Sequence, residues 1–349
     1  PDPDPDPVEK VFHSATAAGV GANTISAEVT VVASGYDGVR VRAWREGEVG
    51  EYTPISAFGA DTILKLAVLG LHPESDYSFE VLVSADEAEE AADTVSFTTG
   101  SLPAWLPPAI PFGDDPAPGF VILSVPDGPV IIDNTGRVVW YLSAPDPVLS
   151  NFQAHDGGFY TLLGRGTEVQ EFRFLDDLGR EIGRAACVGR DTRFHAIRVR
   201  RSGDYYVMCD DRSTADLSAI GGLSEVDLNW TVLQRVSASG DLLWEWRSSD
   251  HFNIADVGQD LITGAEAINV THGNAIAFDT DGNLLVSFRT LNEVTKIDAE
   301  TGDVIWRFGG GLGNQFAFVA DPKGSFERQH GVRVVEQNVI QLHDNSDVA

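Results

Sequence analysis

Short runs in which apolar and polar residues alternate occur along the chain and predict β-strands, because a period of two gives a strand one buried face. From residue 8 to about residue 101, turn residues separate such runs, which is the pattern of a small β-sandwich. The runs are ISAEVTVVA, GVRVRAW, DTILKLAVLGL, SDYSFEVLVSA and DTVSFTTG. The first hundred residues are therefore expected to fold as two packed sheets.

One segment of this sandwich, LAVLGLHPESDYSFEV, is similar to a corner of fibronectin type III and immunoglobulin-like domains. In that corner a tyrosine hydroxyl ties back to the backbone, a role that falls here to Tyr77. The sequence of the sandwich contains no group of residues that suggests a catalytic or metal-binding site. We interpret its two histidines, His13 and His72, as surface or turn residues.

A proline-rich segment follows, and the pattern changes after it. In four places a turn with glycine precedes a short segment, and three of these segments carry tryptophan; the glycines are Gly136, Gly179, Gly240 and Gly302. A spacing of roughly 40 to 60 residues with several strands per unit is typical of a β-propeller, in which tryptophans of this kind pack the blades. We predict an all-β chain with an extended Pro/Asp linker (1–7), a β-sandwich (8–101), a Pro-rich linker (102–118) and a β-propeller (119–349).

Three histidines stand near the starts of three successive repeats: His195 in TRFHAIRV, His272 in VTHGNAIAF and His330 in RQHGVRVV. Each precedes a short apolar segment, a turn and a second apolar segment. In a propeller the first strand of each blade lines the central channel, so residues at its start lie near one mouth of that channel. The repeat therefore predicts that the three imidazoles converge, and it makes their meeting point the candidate site.

The remaining histidines of the predicted propeller are His155, His251 and His343. They lie in turn or loop contexts and are interpreted as bystanders.

The charge of the chain argues against two classes of partner. Its 53 acidic and 24 basic residues give a formal net charge of −29, which repels both nucleic acid and anionic membranes. We interpret this charge as serving solubility or adaptation to salt. An anionic substrate would need a local group of His and Arg. No apolar run is long enough to span a bilayer.

Two features bear on cellular location. The chain begins with PDPDPDP, a stiff and charged stretch of the kind that follows a removed signal peptide or lipid anchor. Cys187 and Cys209 could form one disulfide in an export compartment or remain two buried thiols, and their sequence leaves both open. We expect an exported protein that is periplasmic, at the cell surface or secreted.

The last residues, QHGVRVVEQNVIQLHDNSDVA, supply about two strands of a fifth blade. Because exposed edge strands invite aggregation, we expect a further portion of the ring, about 100 residues if there are six blades. Alternatively, a homo-oligomer or a second chain could supply the missing strands.

Two stretches within residues 119–349, THGNAIAF followed by DGNLLVSFR, and QHGVRV, resemble the bacterial aryl-sulfate sulfotransferases. The resemblance implies an exported six-bladed propeller with an N-terminal sandwich. It also implies an enzyme that moves a sulfuryl group from a small aryl sulfate to a phenol through a sulfated histidine, with no cofactor, metal or nucleotide sulfate donor. By motif, His330 matches the nucleophile, His272 and Arg289 match two anion-binding partners, and His195 matches the remaining channel histidine.

These residue types suit that chemistry. A guanidinium is permanently charged and neutralises sulfate oxygens, while a neutral imidazole is a competent nucleophile near neutral pH. A second imidazole can move the phenol proton, but the sequence does not assign this step to His195 or to His272.

Two other functions remain open. Histidines around a propeller channel could bind a divalent metal and support redox chemistry, although Arg289 would repel such an ion. Alternatively, the chain could be a cell-surface binding or scaffold module, which would suit its extended start and its acidic surface.

Overall fold

The computed structural model describes residues 9–60, 62–107, 109–110, 117–125, 127–143, 150–155, 158–163, 170–310 and 313–346. Its regular elements are strands, apart from one helical turn, α1 (Gln259–Ile262), and three shorter 3-10 turns within those residues. The all-β class predicted from the sequence is confirmed. The PDPDPDP stretch and much of the Pro-rich linker, residues 111–116 among them, lie outside the described residues. No helix among the described residues is long and apolar enough to cross a membrane.

The first eight strands form two antiparallel sheets. One has the order β1-β2-β6 and the other the order β4-β3-β7-β8, with β5 also paired to β3. Valines and alanines of β2, β3 and β7 alternate inward and bury a common core around Phe79, which explains the period of two in the sequence. The strands are β1 (Val11–Val20), β2 (Asn23–Ser34), β3 (Gly38–Trp44), β4 (Glu51–Tyr52), β5 (Ser56–Ala57), β6 (Ile63–Val68), β7 (Asp76–Ala85) and β8 (Ala88–Thr98).

The expected tyrosine corner is present. The backbone N–H of His72 donates to the hydroxyl oxygen of Tyr77 at 2.9 Å, and the Tyr77 ring is buried. His13 is exposed and His72 is half-buried in a turn, as expected. Strand β1 was not among the predicted runs. Its side chains are half-buried or exposed, and its sequence lacks a clear alternation of apolar and polar residues.

From residue 120 onward, strands that are neighbours in sequence pair with each other. Each full sheet is an antiparallel meander of four strands, the arrangement of a propeller blade. We number these sheets 1 to 5. Sheet 1 contains β9 (Phe120–Val125), β10 (Gly128–Asp133) and β11 (Val138–Tyr141), and sheet 2 contains β12 (Ser150–His155), β13 (Gly158–Leu163), β14 (Glu171–Leu175) and β15 (Glu181–Ala185).

The candidate site lies on the remaining three sheets. In sheet 3 an additional strand pairs in parallel with the long third strand. Sheet 3 contains β16 (Thr192–Val199), β17 (Tyr205–Ala215), β18 (Val226–Val236), β19 (Leu242–Arg247) and β20 (Ala267–Asn269); sheet 4 contains β21 (Gly273–Phe278), β22 (Leu284–Phe288), β23 (Glu293–Ile297) and β24 (Val304–Gly309); sheet 5 contains β25 (His330–Glu336) and β26 (Val339–His343).

The chain forms two compact units. One comprises residues 1–161 and 174–183, and the other comprises residues 162–173 and 184–349. In the second unit, the core between sheets 3 and 4 is built from residues such as Met208, Trp246 and Phe288, which are almost completely buried. Burial of such side chains is the main force that holds neighbouring sheets together.

The glycine turns of the repeat have the same conformation. Gly136, Gly179, Gly240 and Gly302 all have positive φ, between 79° and 90°, which a glycine adopts without strain. Two of these turns accept a hydrogen bond from a tryptophan of the preceding sheet, Trp140 Nε1 to Asp177 O at 2.8 Å and Trp246 Nε1 to Gly302 O at 2.9 Å.

The predicted packing role of the tryptophans is confirmed, but in sheet 3 the hydrogen bond comes from Trp246 rather than from the repeat position, Trp244. The two residues are two positions apart on one strand and therefore share a face.

Candidate active site

The three candidate histidines lie on, or directly before, the first strands of sheets 3, 4 and 5. His195 is the fourth residue of β16, His272 directly precedes β21, and His330 is the first residue of β25. The ring of His195 is 5.2 Å from that of His272 and 5.9 Å from that of His330, measured between centroids. The structure thus brings together three imidazoles that are far apart in sequence.

His195 and His272 are in direct contact through their ring nitrogens, with 3.2 Å between the two Nε2 atoms. A hydrogen bond between two ring nitrogens requires an N–H on one and a lone pair on the other. The pair therefore holds a proton between two nitrogen atoms.

The pKa of His272 is lowered to about 4 from its ordinary value of 6.5. Burial of the ring is the largest cause, and the positive charges of Arg193 and Arg289 lower the pKa further, whereas Asp210 opposes them. His272 is consequently neutral across the physiological pH range.

Arg193 is a member of the site that the sequence interpretation missed. It is 4% exposed, and its Nε atom donates to Asp210 Oδ1 at 2.7 Å. Its other nitrogens contact Thr231 Oγ1 at 3.3 Å and Asn269 Oδ1 at 2.9 Å. Arg193 lies two positions before His195, but the ladder of β16 and β17 is irregular between Thr192 and Ile197, so the alternation of a regular strand does not identify it.

Arg289 follows β22 and is half-buried. Its backbone N–H donates to the carbonyl oxygen of His272 at 3.1 Å, which ties the two residues together. Its positive charge lowers the pKa of His272. No carboxylate within the described residues forms an ion pair with Arg289. Arg289 is therefore a guanidinium beside the imidazoles that is available to an anion.

The backbone at His272 is held in an unusual conformation. Its φ is +47°, a left-handed value that is uncommon for a residue with a side chain. The next residue, Gly273, donates its N–H to Thr231 Oγ1 at 2.8 Å, and a Cβ at Gly273 would lie 2.7 Å from the Thr231 methyl carbon. Close packing on Thr231 therefore fixes the direction in which His272 points.

His330 is held by two contacts to the Nδ1 atom of its ring. Its Nδ1 atom lies 3.0 Å from the carbonyl oxygen of Arg328 and 2.7 Å from Asn345 Oδ1. Asn345 follows β26, and the sequence interpretation did not include it. Only the fold of the hairpin returns it to His330.

Two of the other histidines of this region pack against aromatic rings instead. The ring of His251 stacks on Trp246 with centroids 4.6 Å apart, and that of His155 meets Phe174 edge-on. His343 is opposite His330 in the ladder of β25 and β26. No group of three or more His, Cys, Asp or Glu among the described residues could hold a metal ion.

Comparison with protein families bears on this part of the chain. Residues 189–349 match the arylsulfotransferase (ASST) family model. The matched segment includes His195, His272, Arg289 and His330, and it does not extend to residues 1–188. The comparison with curated proteins gave no match.

Several solved structures resemble the chain weakly. Kuenenia stuttgartiensis hydrazine synthase is 13% identical, with 92% of this chain and 93% of that chain covered and a TM-score of 0.37. A streptogramin B lyase is 16% identical, with 66% and 80% covered and a TM-score of 0.36. Virginiamycin B lyase from Staphylococcus aureus is 10% identical, with 97% and 88% covered and a TM-score of 0.33. Similarity at this level carries no argument about function.

Proposed function

We propose that the chain is an aryl-sulfate sulfotransferase, which transfers a sulfuryl group from an aryl sulfate to a phenol through a sulfated His330. The observation that carries this proposal is the meeting of three imidazoles beside Arg289, a guanidinium with no ion-pair partner among the described residues. The match of this segment to the arylsulfotransferase family supports the same reaction.

In the first half-reaction, the lone pair of His330 Nε2 forms a bond to sulfur while the bond between sulfur and the aryl oxygen breaks. The electron pair of that bond leaves with the aryl oxygen, which then takes a proton. Charge accumulates on the sulfate oxygens and the leaving oxygen as this happens, so a nearby guanidinium stabilises the transition state more than the bound ester. Arg289 is the group suited to this role.

In the second half-reaction, a phenol oxygen forms a bond to sulfur while the bond between sulfur and Nε2 breaks. The phenol proton must go to a base, and the His195–His272 pair has a lone pair and an N–H in contact. A lone pair of this pair can take the phenol proton in this half-reaction, and its N–H can protonate the leaving aryl oxygen in the first.

We also propose that the protein is exported. Cys187 and Cys209 form a disulfide, and stable disulfides are typical of oxidising compartments. This supports one of the two alternatives that the sequence left open for these cysteines.

The test uses p-nitrophenyl sulfate as donor and phenol as acceptor, with release of nitrophenol as the signal. We expect ping-pong kinetics, because a covalent intermediate separates the two half-reactions. His330→Ala should reduce turnover by more than the ~10²–10⁴-fold typical of losing one acid–base group. Mass spectrometry under conditions that preserve acid-labile groups should detect a sulfuryl adduct on His330.

His13→Ala, which removes an exposed histidine of the sandwich, is the matched control and should leave turnover unchanged. Circular dichroism of both variants establishes that each is folded. Full activity of the folded His330→Ala variant would remove His330 from the nucleophile role.

A further inference from the structure

Both oxygens that contact Nδ1 of His330 can only accept hydrogen bonds. One is the backbone carbonyl of Arg328 at 3.0 Å and the other is the side-chain oxygen of Asn345 at 2.7 Å. Nδ1 must therefore carry the hydrogen. In a neutral imidazole the lone pair then lies on Nε2.

Both acceptors are held in place by their own hydrogen bonds. The backbone N–H of Asn345 donates to Glu327 O at 3.1 Å, and that of Glu327 donates to Asp344 Oδ1 at 3.0 Å. The backbone N–H of Arg328 donates to Asn292 Oδ1 at 2.8 Å, and Arg328 itself has a left-handed φ of +52°. The segment before His330 and the segment after β26 thus form one braced unit around Nδ1.

We propose that Asn345 is a positioning residue that fixes the tautomer of His330, so that the lone pair is on the nitrogen that attacks sulfur. The assignment of Nε2 as the attacking atom rests on the proposed function. An imidazole without fixed acceptors exchanges its hydrogen between both nitrogens, and only one of the two forms presents a lone pair on Nε2. Asn345 therefore raises the reactive fraction of His330 without touching the substrate.

The choice of an amide also has a physical reason. Attack through Nε2 leaves positive charge on the ring, which an oxygen dipole at Nδ1–H stabilises. A carboxylate at this position would stabilise the protonated imidazole as well, and that form has no lone pair for attack. The neutral oxygen of Asn345 accepts the hydrogen bond without holding the ring in its protonated form.

The direct test is ¹⁵N NMR of the full chain labelled at histidine, recorded at mildly alkaline pH, with the His330 signals assigned by their loss in His330→Gln. In the unaltered protein, Nδ1 should give the shift of a protonated nitrogen and Nε2 that of an unprotonated one. Asn345→Ala should move both shifts towards a mixture of tautomers, whereas Asn345→Asp, which keeps an acceptor oxygen, should keep the hydrogen on Nδ1. Gln341→Ala is the matched control, since Gln341 is exposed on the same hairpin and contacts Arg333 instead of the imidazole.

Kinetics supply the second measurement. Loss of one such hydrogen bond should lower kcat for p-nitrophenyl sulfate by about fivefold in Asn345→Ala, with KM little changed because substrate contacts remain. Two results would overturn the assignment of Asn345. One is a hydrogen on Nε2 of His330 in the wild-type protein, and the other is the same His330 tautomer in Asn345→Ala as in the wild type. If the tautomer depends on Asn345 but no aryl sulfate is turned over, the proposed function fails while the positioning role stands.

Discussion

At the scale of single residues, the environment of His272 decides its charge. The ring is packed into the protein beside two arginines, and the carboxylate of Asp210 is already paired with Arg193. The protonated ring would be both desolvated and repelled, so the neutral form is favoured. A neutral imidazole next to Arg289 leaves the guanidinium as the main positive charge facing an anion.

This depressed pKa predicts how stability depends on pH. Between pH 6.5 and about 4 the unfolded chain binds a proton at His272 that the folded chain does not bind, so stability falls as the pH falls through this window. The loss attributable to His272 is about 3 kcal/mol, since one pKa unit corresponds to about 1.4 kcal/mol. Urea unfolding of the wild type and of His272→Gln at several pH values from 4 to 7 measures it.

The carboxylates contribute equally to the pH dependence of stability in both proteins, so their contribution cancels when the two profiles are compared. The variant should therefore lose less stability than the wild type on acidification. If the stability of both proteins falls equally with pH, His272 has the same pKa in the folded and unfolded states and the prediction is wrong.

At the scale of secondary-structure elements, the loop before β16 is fastened to β17, the neighbour of the strand that carries Arg193 and His195. The disulfide joins Cys187 in this loop to Cys209 in β17, and Cys209 is opposite Thr192 in the ladder. The next residues of the two strands are Arg193 and Asp210, which form the ion pair behind His272. The disulfide thus braces the start of β16 next to the candidate site.

Removing the disulfide should destabilise the protein. The bonded cysteines are 22 residues apart, and a closed loop of about this size restricts the unfolded chain by an amount worth about 3 kcal/mol. The double variant Cys187→Ser, Cys209→Ser should unfold at a clearly lower urea concentration than the wild type. A reducing agent should lower the midpoint of the wild type and leave that of the double variant unchanged; equal midpoints of the two proteins without reductant would contradict this expectation.

At the scale of the whole molecule, the balance of charge is strongly negative. With 53 acidic and 24 basic residues, the net charge of −29 makes the folded chain repel itself. Local pairs such as Lys296 with Asp279 and Asp281 relieve this repulsion only where a basic residue is present. The remaining repulsion between carboxylates must be screened by cations from the solution.

Salt should therefore stabilise the protein at neutral pH. Raising sodium chloride from 10 to 150 mM shortens the screening length from about 30 Å to about 8 Å, and the melting temperature should rise by a few degrees. The control is the same titration near the sequence pI of about 4.4, where the net charge and the effect of salt should both be small. A melting temperature that does not depend on salt at neutral pH would contradict this view of the charge.

The sequence by itself determined the features that depend on local geometry. Alternation of apolar and polar residues predicted strands such as β2, β3 and β7, glycines predicted the repeated turns, and the repeat related His195, His272 and His330 to one another. Strands and tight turns are predictable because their constraints act over a few neighbouring residues.

Only the tertiary structure decided which other groups meet these histidines. Arg193 contacts Asn269 across 76 positions of sequence, and Asn345 returns to His330 from the far end of a hairpin. The low pKa of His272 and the pairing of Cys187 with Cys209 also depend on neighbours that the fold supplies. Such contacts arise from the packing of whole sheets, and no local pattern in the chain encodes them.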